Sequence, residues 1–181
     1  MKSIPDGAPI EMTGSAKMSA LAPNLGETAQ WVVFCLDEGR YALPLAAVDR
    51  IVRAVYVTPL PRAPDIVLGA IDVQGRVLPV FNLRRRFGLP ERTLRPADHF
   101  LIAHTAQRTV ALVIDAALGV FENATTAVSE AADVARDLDH IGGVIQLDDG
   151  LVLIHDLEHF LSSDEARVLD EAMSQQTPHA D

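Results

Sequence analysis

A chain of 181 residues, 49% apolar and 22% charged, has the make-up of a globular protein and can bury a core without disulfides or metal. Its formal charge of −10 excludes a basic footprint for nucleic acid or anionic lipid. The single cysteine, Cys35, excludes an internal disulfide and a Cys-rich zinc module, and fits a reducing cytoplasm.

Residues 1–30 mix Gly, Pro, Ser, Ala and Met without a period and read as a mobile arm. They lack the continuous apolar stretch of an export signal, and no later segment has the roughly 20 apolar residues of a membrane span. Order is expected from Trp31, in the strand-like run to Leu36. A turn at 37–40 follows, and Tyr41 to Leu45 returns. Val48 to Val55 fits either a strand or a short helix. Pro59, Pro61 and Pro64 mark a loop. Ile66 to Val73 and Arg76 to Phe81 form a hairpin around Gln74-Gly75. Asn82 caps a helical turn, Leu83 to Phe87, that stops at Gly88.

The second half repeats this order. Phe100 to Ala103 and Val110 to Ile114 read as strands. Residues 122–140 are acidic and read as a long loop or weak helix. Ile141 to Leu147 and Leu151 to His155 form a second hairpin, and Asp156 can cap Leu157 to Leu161. Ser162 and Glu165 form a capping box that opens a helix to about Met173. Gly69 to Gln74 aligns without gaps on Gly143 to Asp148. Val77, Leu78, Val80, Asn82 and Leu83 then fall on Leu151, Val152, Ile154, Asp156 and Leu157, and Tyr41 to Leu45 matches Val110 to Ile114. The pattern is an internal duplication of a small β unit. Each unit reads as a small barrel, with the groove between two barrels as the default binding site. Charge divides unevenly: residues 31–108 hold 11 Arg against 7 acids, and residues 109–181 hold 2 Arg against 15 acids.

Several blocks resemble the CheW-type adaptors of bacterial chemotaxis. They are Tyr41 to Val52, Gly69 to Gly88, Val110 to Asp115, and the ending from Gly143 to Phe160. The resemblance spans about residues 30–162, with every block in order. It implies an all-β fold of two tandem SH3-like five-stranded β-barrels with short helical turns and a C-terminal helix. The expected layout is a flexible arm at 1–30, a CheW-like domain at 31–162 and a C-terminal helix and tail at 163–181. The first barrel is placed at about 31–90 and the second at about 98–160. The resemblance further implies a cytoplasmic scaffold without catalysis or cofactor, which links the chemoreceptor tip to the regulatory domain of a CheA-type histidine kinase. It also implies weak self-association in rings as an expectation. A non-flagellar chemosensory pathway, for surface motility or gene regulation, is the alternative output.

The positions that match the family's receptor-binding surface are Val48, Arg50, Gly69 and Gln74. Two depart from the usual pattern. The family commonly has Glu where Arg50 stands, and Asn-Leu-Arg-Gly where Asp72-Val73-Gln74-Gly75 stands. Gly69 and Gly143 also have a plainer reading as bulges in a curved sheet. Cys35 reads as a buried structural thiol. Arg84-Arg85-Arg86 reads as a solvated helical turn with arms free to pair with acids. A rival from another class is a metal-dependent hydrolase using His155 and His159, with His140 or Asp139 as a third ligand. That reading suffers because the family-like register puts His155 at a strand end and Asp156 at a cap, which breaks helical spacing.

Overall fold

Between Trp31 and Leu36 apolar side chains point to both sides of the chain, and both sides are buried. Strand β1 (Thr28–Leu36) sends Trp31 and Val33 into one core, and Val32, Phe34 and Leu36 into another. A strand buried on both faces reads as an unbroken apolar run. The computed structural model describes residues 28–124, 128–129, 141–147 and 150–175. Most of the expected arm, most of the acidic stretch at 122–140 and the turn residues 148–149 lie outside them. Strand β1 starts at Thr28, earlier than expected, because Thr28 to Gln30 pair with Ala124 to Glu122.

β2 (Gly39–Pro44) returns antiparallel on β1, and a short 3-10 turn at Leu45–Ala47 leads into β3 (Val48–Arg53). β4 (Val67–Val73) and β5 (Arg76–Phe81) form the hairpin around Gln74-Gly75. The Asn82 side chain accepts a hydrogen bond from the Arg84 amide and caps α1 (Leu83–Arg86). The remaining elements are β6 (His99–His104), β7 (Thr109–Ile114), β8 (Ala116–Ala124), β9 (Val128–Ser129), β10 (Ile141–Leu147), β11 (Gly150–His155) and α2 (Ser163–Ser174). Both hydrogen bonds of the expected capping box are present at Ser162 and Glu165. Asp156 accepts from the Glu158 and His159 amides, but a turn follows it where a helical segment was expected.

The strands form a six-stranded sheet, β8-β1-β2-β11-β10-β9, and a five-stranded sheet, β3-β6-β7-β5-β4. These are the two SH3-like barrels, but the expected division of the chain at about 31–90 and 98–160 is not the one they make. One barrel is built from residues 48–114. The other combines β1 and β2 with strands from the far end of the chain. The duplication explains the exchange. β4-β5 and β10-β11 share one register, with Gly69 opposite Val80 and Gly143 opposite Ile154, each beside a bulge. Val80 then pairs in parallel with Ala111, and Ile154 with Ala42, so each repeat's hairpin takes its neighbour from the other repeat. β3 against β6 and β8 against β1 also match: Arg50 faces Ile102 and Gly119 faces Val33, both at bulges. β8 is thus the counterpart of β3, and its residues 122–124 are strand where a loop or weak helix is expected, because they pair with β1.

Strand alternation places three cores. Trp31, Val33, Ala42, Ile145, Val152 and Ile154 fill the first barrel, and Ile71, Leu78, Val80, Phe100, Ile102, Ala111 and Val113 fill the second. The opposite faces of the central strands meet in a shared core, with Phe34, Leu43, Phe81, Leu101 and Leu112 each at most 1% exposed. Leu169 and Ala172 of α2 close that core. Arg86 donates to Glu165 at 2.9 Å, and Arg108 pairs with Asp170, so the C-terminal helix is bound to the 48–114 barrel.

Arg84 corrects the expectation of a solvated arginine turn. Arg85 is exposed and pairs with Glu91, but Arg84 is only 4% exposed. Its guanidinium contacts Asp37 at 2.6 Å and Asp115 at 2.7 Å. Asp37 lies in the β1–β2 turn and Asp115 where the chain passes from one barrel to the other. Arg92 joins the same network, bridging Asp115 and the buried Asp98, the latter at 2.7 Å. An arginine surrounded by the turns of both barrels cannot reach water, and its acids supply the compensation burial requires. The Arg84 hydrogen bond holds the Asp37 carboxyl below its ordinary range. At Asp98 and Glu165 burial pushes upward, yet hydrogen bonds from Arg92 and the Arg95 amide, and from Ser162 and Arg86, leave both below theirs.

Replacing Arg84 with Met, which takes the cation from Asp37 and leaves Asp115 to Arg92 alone, is expected to cost about 1–3 kcal/mol in denaturant unfolding of the full chain. Stability also follows the depressed carboxyls. Their contribution is complete above the ordinary values of 3.8 and 4.5 and is lost as pH falls through the lower native ones. The thermal midpoint is expected to drop below about pH 4, and less steeply in Arg92→Ala.

Candidate interaction surface

The 48–114 barrel closes where β3 runs on past its pairing with β6. Thr58 and Ala70 exchange backbone hydrogen bonds at 2.9 and 2.8 Å, which brings the chain after β3 onto the β4 edge. Gly69 makes this possible. It is buried at φ 150, and a Cβ there would lie 2.1 Å from the Thr58 carbonyl oxygen. Its backbone reading is therefore sufficient: it lets two strands touch.

The four positions matched by resemblance separate by exposure. Val48 is half-buried against the shared core, and Gly69 is covered. Arg50 and Gln74 are exposed, and they meet: Arg50 Nη1 donates to Gln74 Oε1 at 3.0 Å. Arg50 stands on β3 and Gln74 at the β4–β5 turn, at opposite ends of the sheet order, so only barrel closure joins them. Around them, Asp72 accepts from the Gly75 amide at 2.7 Å and fixes the turn. Asp49, the bulge residue between Val48 and Arg50, faces His104 Nδ1 at 3.3 Å.

The duplicated surface on the other barrel has different chemistry. Opposite the Val48–Arg50 edge in the repeat is β8, with Leu118, Val120 and Phe121 at 47%, 53% and 38% exposure. Val77 and Leu151, which align in the repeat, are both exposed. Sequence reasoning missed the β8 face because its residues were not assigned to a strand.

The metal constellation is not assembled. His155 is buried edge-on between Phe87 and Phe160, with ring centroids 4.7 and 5.2 Å away. His159 is exposed and bonds Asp156 at 2.7 Å. One imidazole lies in the core and the other at the surface, and no metal-ligating cluster occurs among the described residues. Cys35 is half-buried, its thiol 3.6 Å from the Ala116 carbonyl oxygen. No described helix is long and apolar enough to cross a membrane.

Two fused barrels with an exposed polar edge on one and an exposed apolar edge on the other define a binding module. The comparisons place it. The CheW-like domain model matches residues 30–165, and the chain belongs to that family. It is 28% identical over 149 residues to chemotaxis protein CheW of Treponema pallidum, covering 79% of this chain and 88% of that protein. It is 26% identical over 163 residues to CheW of Klebsiella aerogenes, covering 88% and 96%. The crystal structure of the scaffolding protein TtCheW from Thermoanaerobacter tengcongensis superposes with a TM-score of 0.71 at 25% identity, over 77% of this chain and 96% of that one. The protein is accordingly a non-catalytic adaptor of chemotaxis-type signalling.

Two glycines at this surface separate crowding from backbone strain. Gly69→Ala must displace the Thr58 strand and is expected to cost about 3 kcal/mol or more. Gly75→Ala meets nothing within 4 Å and suffers only its φ of 79, for about 1–2 kcal/mol. Paired denaturant titrations of the two variants measure the difference.

Proposed function

We propose that this chain couples chemoreceptor tips to the regulatory domain of a CheA-type histidine kinase on the cytoplasmic side, through surfaces on its two barrels. The observation that carries this reading is that the CheW-like domain takes up residues 30–165, the whole double-barrel unit. A chain made of that module acts by what it binds. It alters phosphorylation by binding the kinase's conformational states with different affinity, since a scaffold with equal affinity for both shifts nothing. Val48, Arg50, Gly69 and Gln74 mark the receptor side in this reading: Arg50 and Gln74 by contact, Val48 and Gly69 by shaping the edge that holds them.

The charge distribution supports an end-to-end joint on the kinase side and between copies. After the strand exchange the arginines still gather on the five-stranded barrel. Residues 45–115, which hold the five-stranded barrel, carry 10 Arg against 6 acids. Residues 28–44 together with 116–162 carry 2 Arg against 11 acids, and α2, which is bound to the five-stranded barrel, adds Arg167 and 4 acids to that barrel. A contact that brings one barrel type against the other sets the arginine-bearing barrel against the acidic one, and such fields speed encounter.

Reconstitution with receptor and kinase tests the coupling: kinase activity is expected to depend on this protein, and an unchanged activity without it would sink the reading. For the joint, association rates with the kinase regulatory domain are expected to rise as salt falls from 0.15 to 0.01 M, where the screening length grows from about 8 to about 30 Å. Rates that stay flat would mean an apolar joint.

A further inference from the structure

We propose that Gln74 holds Arg50 in place, without an ion pair of its own, for a carboxylate on the receptor tip, so that the two residues act as a single specificity element. This rests on the adaptor reading and extends it to the chemistry of the partner.

The first observation is the turn. Gln74 has φ 56 and Gly75 φ 79, so both central residues of the hairpin lie in the left-handed region. Such a turn favours Asn, Asp or Gly at its first position. A glutamine there departs from local preference, and a residue held in a sparsely populated conformation points to work done by its side chain.

The second observation is what that side chain reaches. Gln74 Oε1 accepts from Arg50 across the closing edges of the barrel. An asparagine, which suits the turn better, is one methylene shorter. The third observation is charge. An amide fixes the guanidinium without neutralising it, and one accepted hydrogen bond leaves most of the arginine's five donors for a partner. The neighbouring acids keep their charge but make no ion pair with Arg50: Asp72 accepts from the Gly75 amide and Asp49 faces His104. Arg76, on the same hairpin, donates to Thr109 Oγ1 at 2.9 Å and adds a second cation. The surface fits an Asp or Glu side chain, which a guanidinium can grip with two parallel bonds. Where the family's usual acid at position 50 would repel such a group, Arg50 attracts it.

The test uses a receptor cytoplasmic hairpin in two forms, with its tip carboxylates intact and with them changed to amides. The full-length parent is expected to bind the acidic form about tenfold more tightly. Arg50→Gln should abolish that preference. Gln74→Asn should keep or raise the thermal midpoint yet lose most of the preference, which a purely structural role would not produce. The double variant should lose no more than Arg50→Gln alone, as expected for one coupled element. Equal binding of both forms by the parent, additive losses, or an unaffected Gln74→Asn would each overturn the proposal while leaving the adaptor reading intact. A parent that binds neither hairpin form nor the kinase regulatory domain would overturn the adaptor reading itself.

Discussion

The shared core between the barrels is the constraint on which the rest of the molecule depends. β1, β2, β6 and β7 each face two cores at once, so none can leave its sheet without opening both. Close packing transmits that condition: a displaced strand leaves cavities on both faces, and interiors tolerate neither voids nor overfilling. The exchange of strands between repeats follows from the same requirement. A single repeat would offer its central hairpin an exposed apolar face, and only the other repeat supplies its cover.

Arg84 shows how polar groups are accommodated in this arrangement. The β1–β2 turn, α1 and the β7–β8 junction converge at one point, where the backbone passes between barrels. A buried arginine with acids from two of those segments ties the turns together there. Ion pairs of this kind add little net stability but are costly to break singly. They act here as a registration device. The aromatic series Phe34, Tyr41, Phe87, His155 and Phe160 runs through the same core and explains why a histidine at the end of β11 is packed as a ring.

Much of this was legible in the chain because local chemistry and tertiary structure agree. The hairpin at Gln74-Gly75, the Asn82 cap, the Ser162–Glu165 box and the register of the duplication all rest on short-range rules, and each occurs where the residues place it. What was not legible is non-local. Nothing in the run from Tyr41 to Leu45 says that its parallel neighbour is β11, some hundred residues away, in place of β5. β8 contains a glycine and small residues that give no strand signal, and it exists because β1 offers a paired edge from Thr28 to Cys35. Arg84 is indistinguishable in sequence from Arg85 and Arg86. Only the tertiary fold makes Arg84 buried, Arg86 half-buried against α2 and Arg85 exposed. Arg50 and Gln74 could be singled out along the chain, but their meeting needed the barrel to close.

The duplication also accounts for how a small chain can serve more than one partner. Both barrels present a bulged strand beside a hairpin, since the backbone register is the same in each. On one barrel that scaffold carries Arg50 and Gln74; on the other, Gly119 flanked by Leu118, Val120 and Phe121. A common backbone thus carries two surfaces of unlike chemistry, held at fixed relation by one core. In the proposed reading, a partner selected by charge on the first barrel gains nothing from the apolar strand of the second, and the reverse holds, so chemistry discriminates the two faces while the shared core keeps them apart. Rigidity is what lets an adaptor without catalysis transmit anything at all. A flexible link would let each partner bind without regard to the other's state, whereas two faces fixed by a common interior make binding at one depend on the orientation of whatever is held at the other.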